Sequence, residues 1–380
     1  MFDESRSEIS GPAKCPSRWA FARWDGTAPC DPGKRSKSEQ PCARSQAQSE
    51  CTRVRIPRFR AKNTRVTNRS IDMSTGSAFP QSATSPESDF LRDLYADWDR
   101  ILNSTPELTT RLLRSIFDEW HQPTREPEEV AYKEDVVGGV PGIWALPIGA
   151  DRSKVLLYTH GGGFAVGSAA SHRKLAGHVA KALGATAFVL DYRRAPEHPH
   201  PAQLEDGVAV FEALITAGIA PSDITTIGDS AGGNLAVGIP LALRQKGRPM
   251  PGQVIALSPW LDMENKGETL VTNNDTDALI TVPLLEGMIA GVLGDVVRPD
   301  NPLANPLHAE FTGFPRLYIA AGSVESLLDN ATRLADRAKA AGVDVTLSIA
   351  EGMQHVYPFL AGRAPEADEE IRRIAQWYHV

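Results

Sequence analysis

A serine between glycines, in residues 228–233 (Gly-Asp-Ser-Ala-Gly-Gly), is the residue best suited by its surroundings to act as a nucleophile. The segment follows a short apolar β run and opens a helix, and it matches G-x-S-x-G, in which a sharp strand-to-helix turn raises a serine hydroxyl above a sheet. Glycines two positions before and after Ser230 avoid clashes across that turn, and the N-terminus of the following helix favours developing negative charge. A structural glycine-rich turn with an idle serine is the alternative interpretation of this segment alone.

A second glycine-rich segment, residues 160–164 (His-Gly-Gly-Gly-Phe), directly follows a predicted strand. Three consecutive glycines expose backbone N–H groups and let a substrate oxygen approach closely, as an oxyanion hole requires. We expect three N–H groups to bind the oxyanion of a tetrahedral intermediate, those of Gly161, Gly162 and Ala231. His160 ends the strand before the loop, where a structural histidine that holds the loop is expected rather than a base. The absence of a terminal Gly-Lys-Ser/Thr argues against a phosphate-binding loop.

Nine histidines compete for the role of general base, and their place in the chain decides among them. In enzymes with a G-x-S-x-G turn, the acid and then the histidine follow the serine along the chain. Only His355 lies in a short loop after the last predicted strand, so it is the expected base, with a surface histidine as the alternative. The others besides His160 lie in an early helix, in a proline-rich loop or away from any strand end: His172, His178, His198, His200, His121, His308 and His379.

The acid must accept a hydrogen bond from the far ring nitrogen of His355, so it should lie in the loop after the preceding strand. Residues 323–330 (Ser-Val-Glu-Ser-Leu-Leu-Asp-Asn) offer Glu325 and Asp329 there. Asp329 is also the expected N-cap of the next helix, which is the more ordinary role for an Asp. Asp262, after an earlier strand, is a third candidate. The residues alone therefore leave three carboxylates open.

The pattern of apolar residues predicts the elements that position these groups. Continuously apolar runs, such as residues 155–158 and 187–190, are typical of strands covered on both faces. The predicted strands are 130–137, 142–146, 155–159, 186–190, 225–228, 254–257, 317–320 and 345–349. The predicted helices between and after the later strands are 171–183, 204–217, 231–245, 330–341 and 366–378. This alternation predicts a mainly parallel sheet with right-handed crossovers.

Two amphipathic helices are predicted ahead of the strands. The first covers about 86–102, with aromatic and aliphatic residues on one face. The second is expected to begin with Thr105 as N-cap and Pro106 at the first helical position, and to run to Trp120. The apolar faces are compatible with plain core packing and also with a lid over an apolar pocket.

Taken together, the motifs resemble the hormone-sensitive-lipase family of α/β-hydrolase esterases over about residues 85–380. Five segments carry the resemblance in the family's order: 160–164, 191–199 (Asp-Tyr-Arg-Arg-Ala-Pro-Glu-His-Pro), 228–234, 258–260 (Ser-Pro-Trp) and 352–355 (Gly-Met-Gln-His). The family's histidine motif falls on His355. Where many relatives read Asp-Pro-Leu-Arg-Asp-Glu, this chain has residues 325–330, which places Glu325 at the position of the catalytic acid.

The resemblance also implies an α/β-hydrolase fold, an eight-stranded, mostly parallel sheet flanked by helices, with a helical cap. The cap would use helices within residues 73–130 and a second insertion at about 265–300, in a core of 131–380. An apolar substrate pocket with Phe164 and Trp260 is expected beneath it.

Residues 1–72 differ sharply in composition from the rest of the chain. They carry 15 Lys and Arg against 8 Asp and Glu, all four cysteines and few aliphatic residues, which predicts a disordered basic extension. Alternatively, translation starts at Met73 and the extension is an artefact of gene annotation. Residues 73–380 carry 25 basic against 39 acidic residues, a balance of −14 that argues against a nucleic-acid partner. No run approaches the roughly 18 apolar residues that span a bilayer, so stable membrane insertion is not expected.

The expected function is that of a serine carboxylic-ester hydrolase that acts through an acyl-enzyme on small to medium apolar esters or lactones. No metal-ligand cluster is visible, and the reaction needs neither a metal nor an organic cofactor. The expected partner is a small-molecule ester, the expected location is cytoplasmic, and a homodimer is left open. A non-catalytic small-molecule receptor on the same fold and a serine acyltransferase are the alternatives. Acyl chain length and stereopreference are not deducible from the sequence.

Overall fold

The computed structural model describes residues 84–105 and 109–380, in which eight strands form one sheet. The strands are β1 (Val130–Val137), β2 (Val140–Pro147), β3 (Asp151–Thr159), β4 (Ala185–Leu190), β5 (Ile224–Asp229), β6 (Gln253–Leu257), β7 (Arg316–Gly322) and β8 (Val345–Ala350). Their order is β1-β2-β4-β3-β5-β6-β7-β8. Strand β2 pairs antiparallel with β1 and β4, and the other pairs are parallel. The eight-stranded, mostly parallel sheet is confirmed.

Helices cover both faces of this sheet and precede it in the chain. Within the described ranges they are α1 (Asp89–Ser104), α2 (Thr110–Phe117), α3 (Ala169–Leu183), α4 (Ala202–Thr216), α5 (Ala231–Gln245), α6 (Thr269–Thr272), α7 (Val282–Leu293), α8 (Leu328–Ala340) and α9 (Pro365–Tyr378). The five predicted helices between and after the later strands are present with ends shifted by at most two residues. None of these helices combines the length and the apolar character that crossing a membrane requires.

The central strands are buried on both sides, as their continuous apolar sequence predicts. All six residues of β4 and of β5 are buried. Thr159 at the end of β3 pairs in register with Gly228 of β5, and Asp229 pairs with Leu257 of β6. Because parallel strands end at the same edge, the loops that follow β3, β5, β6, β7 and β8 meet there.

The start of the second helix differs from the prediction. Helix α2 begins at Thr110, and its N-cap is Thr109, whose hydroxyl accepts from the N–H of Leu112 at 3.2 Å. Thr105 instead follows α1, and its hydroxyl donates back to the carbonyl of Ile101 at 2.7 Å. The prediction of Thr105 as an N-cap is therefore wrong, because its hydroxyl serves the C-terminus of α1. Pro106 lies outside the described residues.

Tyr95 and Trp98 of α1 and Trp120 in the turn after α2 belong to the core, whereas Phe90 of α1 is exposed. The Trp98 ring lies 5.0 Å from that of Phe117, and Trp120 stacks on Phe359 with ring centroids 5.6 Å apart. Core packing accounts for these aromatic residues, while Leu102 of α1 and Leu113 of α2 line an apolar cleft, so a lid role of the two helices stays a prediction. The assignment of residues 73–130 and 265–300 to a cap stays a prediction, and the predicted extension 1–72 lies outside the described residues.

Candidate active site

Ser230 sits at the sharp turn between β5 and α5. Its backbone has φ +53° and ψ −120°, a region that residues other than glycine rarely adopt, and its N–H donates to the carbonyl of Leu257 at 2.9 Å. A Cβ on Gly232 would collide with the backbone carbonyl of Thr159, and one on Gly228 would collide with the carbonyl of Gly232. Both glycines are thus required by close backbone approach, which is the reason expected from the motif.

The loop after β3 lies beside this turn, and its first glycine has an internal partner. The N–H of Gly161 donates to Nε2 of His172 on α3 at 3.2 Å. A donor already held by a ring nitrogen does not face a substrate oxygen. This contact corrects the prediction that Gly161 belongs to the oxyanion hole.

The next two glycines keep their N–H groups free. Gly162 and Gly163 have φ +111° and +57°, and within the described residues neither N–H donates a hydrogen bond. The N–H of Ala231, at the first position of α5, likewise has no acceptor among these residues, as is normal for the first turn of a helix. Gly162 and Ala231 thus retain the free donors that were predicted for them, and Gly163 adds a donor that was not predicted.

His160 supports the loop from below, as predicted for a structural histidine. It is fully buried, its Nδ1 donates to the carbonyl of Gly161 at 2.7 Å, and its ring stacks on Tyr192 with centroids 4.1 Å apart. Burial lowers the pKa of His160 well below its ordinary value, with the neighbouring His172 adding to the effect. The lowered pKa makes His160 a weak base, and the commitment of Nδ1 to the loop agrees with a structural role.

Helix α2 is also tied to this loop. Nε of Arg114 donates to the carbonyl of Ala165 at 2.9 Å, and both terminal nitrogens of its guanidinium bind the carboxylate of Glu197 at 2.7 and 2.8 Å. The bidentate ion pair with Glu197 fixes the plane of the guanidinium and so directs Nε of Arg114 toward the carbonyl of Ala165.

His355, in the loop after β8, and Glu325, in the loop after β7, form a buried pair at the same edge of the sheet. Nδ1 of His355 lies 2.9 Å from Oε2 of Glu325, and neither side chain is exposed to solvent. Since a carboxylate oxygen accepts, Nδ1 is the donor and Nε2 is the nitrogen left to act as a base. Within the described residues Nε2 has no hydrogen-bond partner.

The surroundings of the pair raise the pKa of His355. Burial alone lowers the pKa of His355, but the hydrogen bond and charge of Glu325, with the charges of Asp277 and Asp229, outweigh it and leave the pKa above its ordinary value. Burial also raises the pKa of Glu325, and its contact with His355 offsets part of that rise.

The backbone around His355 is held by two side chains from distant parts of the chain. The hydroxyl of Tyr95 on α1 donates to the carbonyl of His355 at 3.0 Å and accepts from Nε1 of Trp120 at 3.1 Å. The hydroxyl of Ser258, after β6, accepts from the N–H of Val356 at 3.0 Å.

The two other candidate acids have different partners. Asp329 lies inside the first turn of α8 and accepts from the N–H of Glu268 at 3.0 Å, so the prediction that it is an N-cap is wrong: Leu327 occupies that position without a side-chain cap. Asp262 is buried against the guanidinium of Arg333 at 2.8 Å. Of the three predicted carboxylates, the structure brings Glu325 to His355.

A cleft of about 420 Å³ opens between α1, α2, α7 and the loop after β3. Its lining is mainly apolar and includes Leu102, Leu113, Ala165, Leu284 and Met288. The predicted pocket residues Phe164 and Trp260 are not part of this lining. Both are buried, with ring centroids 5.7 Å apart, and their assignment to the substrate pocket stays a prediction.

Sequence reasoning gave no role to Tyr95 and left Gly163 out of the predicted oxyanion hole, and it named Ser258 only within the Ser-Pro-Trp segment that carries the resemblance. Tyr95 contacts His355, 260 positions away along the chain, and Ser258 contacts Val356, 98 positions away, so neither contact is visible in local spacing. Gly163 was within reach, because it continues the same glycine run, but its N–H cannot be told from that of Gly161 without the position of His172.

Comparison with known proteins finds relatives of this chain among esterases and acetyl-hydrolases. A family of the alpha/beta hydrolase fold matches residues 156–359. An acetyl-hydrolase of Streptomyces hygroscopicus is 36% identical over 286 residues, 70% of this chain and 94% of its own, and an esterase of Acinetobacter venetianus is 32% identical over 71% and 89%. The crystal structure of an esterase from the bacterial hormone-sensitive lipase family is 39% identical, covers 78% of this chain and 98% of its own, and has a TM-score of 0.74.

Proposed function

Because this chain belongs to the hormone-sensitive-lipase family of α/β-hydrolase esterases and hydrolyses carboxylic esters, we propose that Ser230, His355 and Glu325 carry out the reaction. The observation that carries the proposal is the 2.9 Å hydrogen bond between Nδ1 of His355 and Glu325, buried at the same sheet edge as the strained serine. Ser230 is the nucleophile, His355 the general base and Glu325 the acid that orients the base.

The proposed reaction proceeds through an acyl-enzyme. Nε2 of His355 takes the proton of Ser230 as Oγ attacks the ester carbonyl carbon, and the resulting imidazolium protonates the leaving alkoxide. Water then attacks the acyl group by the same steps, which releases the acid and restores the serine. The negative charge of Glu325 stabilises the imidazolium in both halves of the cycle.

The oxyanion of each tetrahedral intermediate is proposed to bind the N–H groups of Gly162, Gly163 and Ala231. Their freedom from internal acceptors supports this assignment, and so does the position of Ala231 at the positive end of α5.

The proposed substrates are small to medium apolar esters or lactones. The mainly apolar lining of the 420 Å³ cleft supports this class, and one relative is named an acetyl-hydrolase. Ala165, in the loop after β3 that also contains Gly162 and Gly163, lines the cleft, which supports a substrate site close to the proposed oxyanion hole.

The test is a series of p-nitrophenyl esters from acetate through butyrate to laurate, hydrolysed by the wild type and by Ser230→Ala. We expect turnover of the short esters by the wild type and only background rates with the variant. A wild type no faster than Ser230→Ala, yet able to bind an ester, would contradict the proposal and favour a receptor. Analysis of products with an added alcohol separates hydrolysis from acyl transfer.

A further inference from the structure

Residues 268–281, here called the strap, connect the region after β6 to α7 and lie against the loop that carries Glu325. The side-chain amide of Asn273 donates to the carbonyl of Glu325 at 3.0 Å. The hydroxyl of Thr276 donates to the carbonyl of Val324, also at 3.0 Å. The strap therefore binds the backbone carbonyl of the proposed acid and that of the residue before it.

The same strap holds the loop that carries the proposed base. The side chain of Gln354, next to His355, accepts from the N–H of Ala278 at 2.9 Å and donates to the carbonyl of Thr276 at 2.8 Å. One short segment thus contacts the immediate neighbours of both Glu325 and His355.

Asp277 lies at the centre of the strap and is 7% exposed. Its Oδ2 accepts from the N–H of Ser326 at 2.7 Å, and its Oδ1 accepts from the N–H groups of Leu279 and Ile280, each at 2.9 Å. One carboxylate thus joins the backbone of the strap to the residue that follows Glu325.

We propose that Asp277 is a positioning residue for the catalytic pair. By holding the N–H of Ser326 it fixes the backbone beside Glu325, and its negative charge favours the imidazolium that His355 forms during turnover. The inference rests on the proposed function, since it assigns Glu325 and His355 their roles.

The charged groups around His355 determine how the loss of Asp277 changes the pKa of that histidine. The groups that act on His355 are Glu325 at Nδ1, Asp277 from the strap and Asp229 from the nucleophile turn, while the neutral hydroxyl of Tyr95 contacts its carbonyl. All three carboxylates raise the pKa of His355. Removing one of them lowers that pKa, so the base stays unprotonated to a lower pH.

The principal test is Asp277→Asn, with Asp275→Asn as its matched control. Asp275 lies two residues away in the strap, is exposed and bonds within the described residues only to its neighbour Asn274. For Asp277→Asn we expect kcat to fall by about 10- to 100-fold, because the reacting groups are displaced. KM should change less, because among the residues that Asp277 holds directly only Leu279 lines the cleft. The acid limb of the kcat/KM profile should move to lower pH. Asp275→Asn should match the wild type in all three quantities.

A second variant, Asn273→Ala, separates position from charge. It removes the amide that holds the carbonyl of Glu325 but no charged group. We expect a lower kcat with an unmoved acid limb. If Asp277→Asn does not fold, as judged by circular dichroism and thermal unfolding, Asp277→Ser takes its place, with the same expected fall of kcat and shift of the acid limb.

A readout that needs no turnover is the titration of His355, followed by NMR of ¹⁵N-histidine-labelled protein. Its imidazole should titrate at lower pH in Asp277→Asn than in the wild type and in Asp275→Asn. A folded Asp277→Asn variant with unchanged kcat, acid limb and titration would overturn the inference. If the wild type hydrolyses no ester, the proposed function fails, and the titration alone then supports or overturns the role of Asp277.

Discussion

The two sides of the candidate active site are built in different ways. The nucleophile side, residues 160–166 and 228–232, is held largely by its own backbone: the carbonyl of Gly162 accepts from the N–H groups of Ala165 and Val166 at 3.0 and 2.9 Å. The acid–base side, residues 323–329 and 354–356, is held by side chains from elsewhere, among them Tyr95, Ser258 and Asp277.

This difference teaches where each side is vulnerable. On the nucleophile side, contacts such as Arg114 to Ala165 and Tyr192 to His160 add to a backbone whose course its glycines already allow. On the acid–base side, backbone hydrogen bonds also join the two loops, for example from the N–H of Val324 to the carbonyl of Met353 at 3.4 Å, but distant side chains hold the carbonyls of Glu325 and His355 themselves. We therefore expect changes of glycine to harm the first side most, and losses of single polar side chains to harm the second.

The largest effect is expected from Glu325→Gln. An amide in place of the carboxylate removes the charge that stabilises the His355 imidazolium and favours the wrong ring tautomer, so kcat should fall by about 10⁴-fold. Steady-state kinetics on p-nitrophenyl butyrate measure the loss. Asp329→Asn is the matched control, because Asp329 contacts the N–H of Glu268 and not the histidine, and it should turn over nearly as the wild type does. A larger loss in Asp329→Asn than in Glu325→Gln, with both folded, would reverse the assignment of the acid.

The next effect is expected from Gly163→Ala. Its φ of +57° is unfavourable for alanine, and a Cβ there would overlap the sulfur of Met288 on α7. Displacing an oxyanion donor should lower kcat by about 10²-fold.

The double variant Gly163→Ala/Met288→Ala sharpens this test. Partial recovery of kcat assigns part of the loss to the contact with α7, and no recovery assigns it to the backbone of the loop. Wild-type kcat in the single variant would show that Gly163 does not serve the oxyanion.

The smallest effect is expected from replacing either of two tyrosines, each of which donates a hydrogen bond to the backbone carbonyl of a histidine. Tyr95 donates to His355 at 3.0 Å on the acid–base side, and Tyr192 donates to His160 at 2.8 Å on the nucleophile side. Phenylalanine at either position should cost about 1 kcal/mol of unfolding free energy, measured by denaturant titration. Only Tyr95→Phe should also lower kcat, by roughly fivefold if a similar energy is lost in the transition state. Equal kcat values in the two variants would remove the contrast between the two sides.

The same contrast explains what the sequence could predict. The eight strands, the helices between the later ones and the position of Ser230 follow from apolar periodicity and from glycines within a few residues of the serine. His355 follows from its place after the last strand. These features depend on short stretches of chain, which carry their own structural preferences.

The remaining features depend on residues brought together only by folding. The residues alone left Glu325, Asp329 and Asp262 open, because the partner of Asp262 is Arg333, 71 positions later. The resemblance placed the acid at Glu325. The contacts of Tyr95 and Asp277 beside His355 and Glu325 could not be predicted from the spacing of neighbouring residues, because they join distant parts of the chain. Gly161 was misassigned for the same reason, since His172 reaches it from another element.

The central claim is that Ser230 is the nucleophile and that the buried His355–Glu325 pair activates it. Covalent trapping with diethyl p-nitrophenyl phosphate tests this claim most directly. A serine Oγ that attacks phosphorus displaces p-nitrophenol and keeps one diethylphosphoryl group. We predict one adduct per wild-type chain, located by peptide mass spectrometry on Ser230 and formed in step with the loss of esterase activity, and none in Ser230→Ala. An adduct on another residue that accompanies inactivation, or activity retained after Ser230 is modified, would contradict the account.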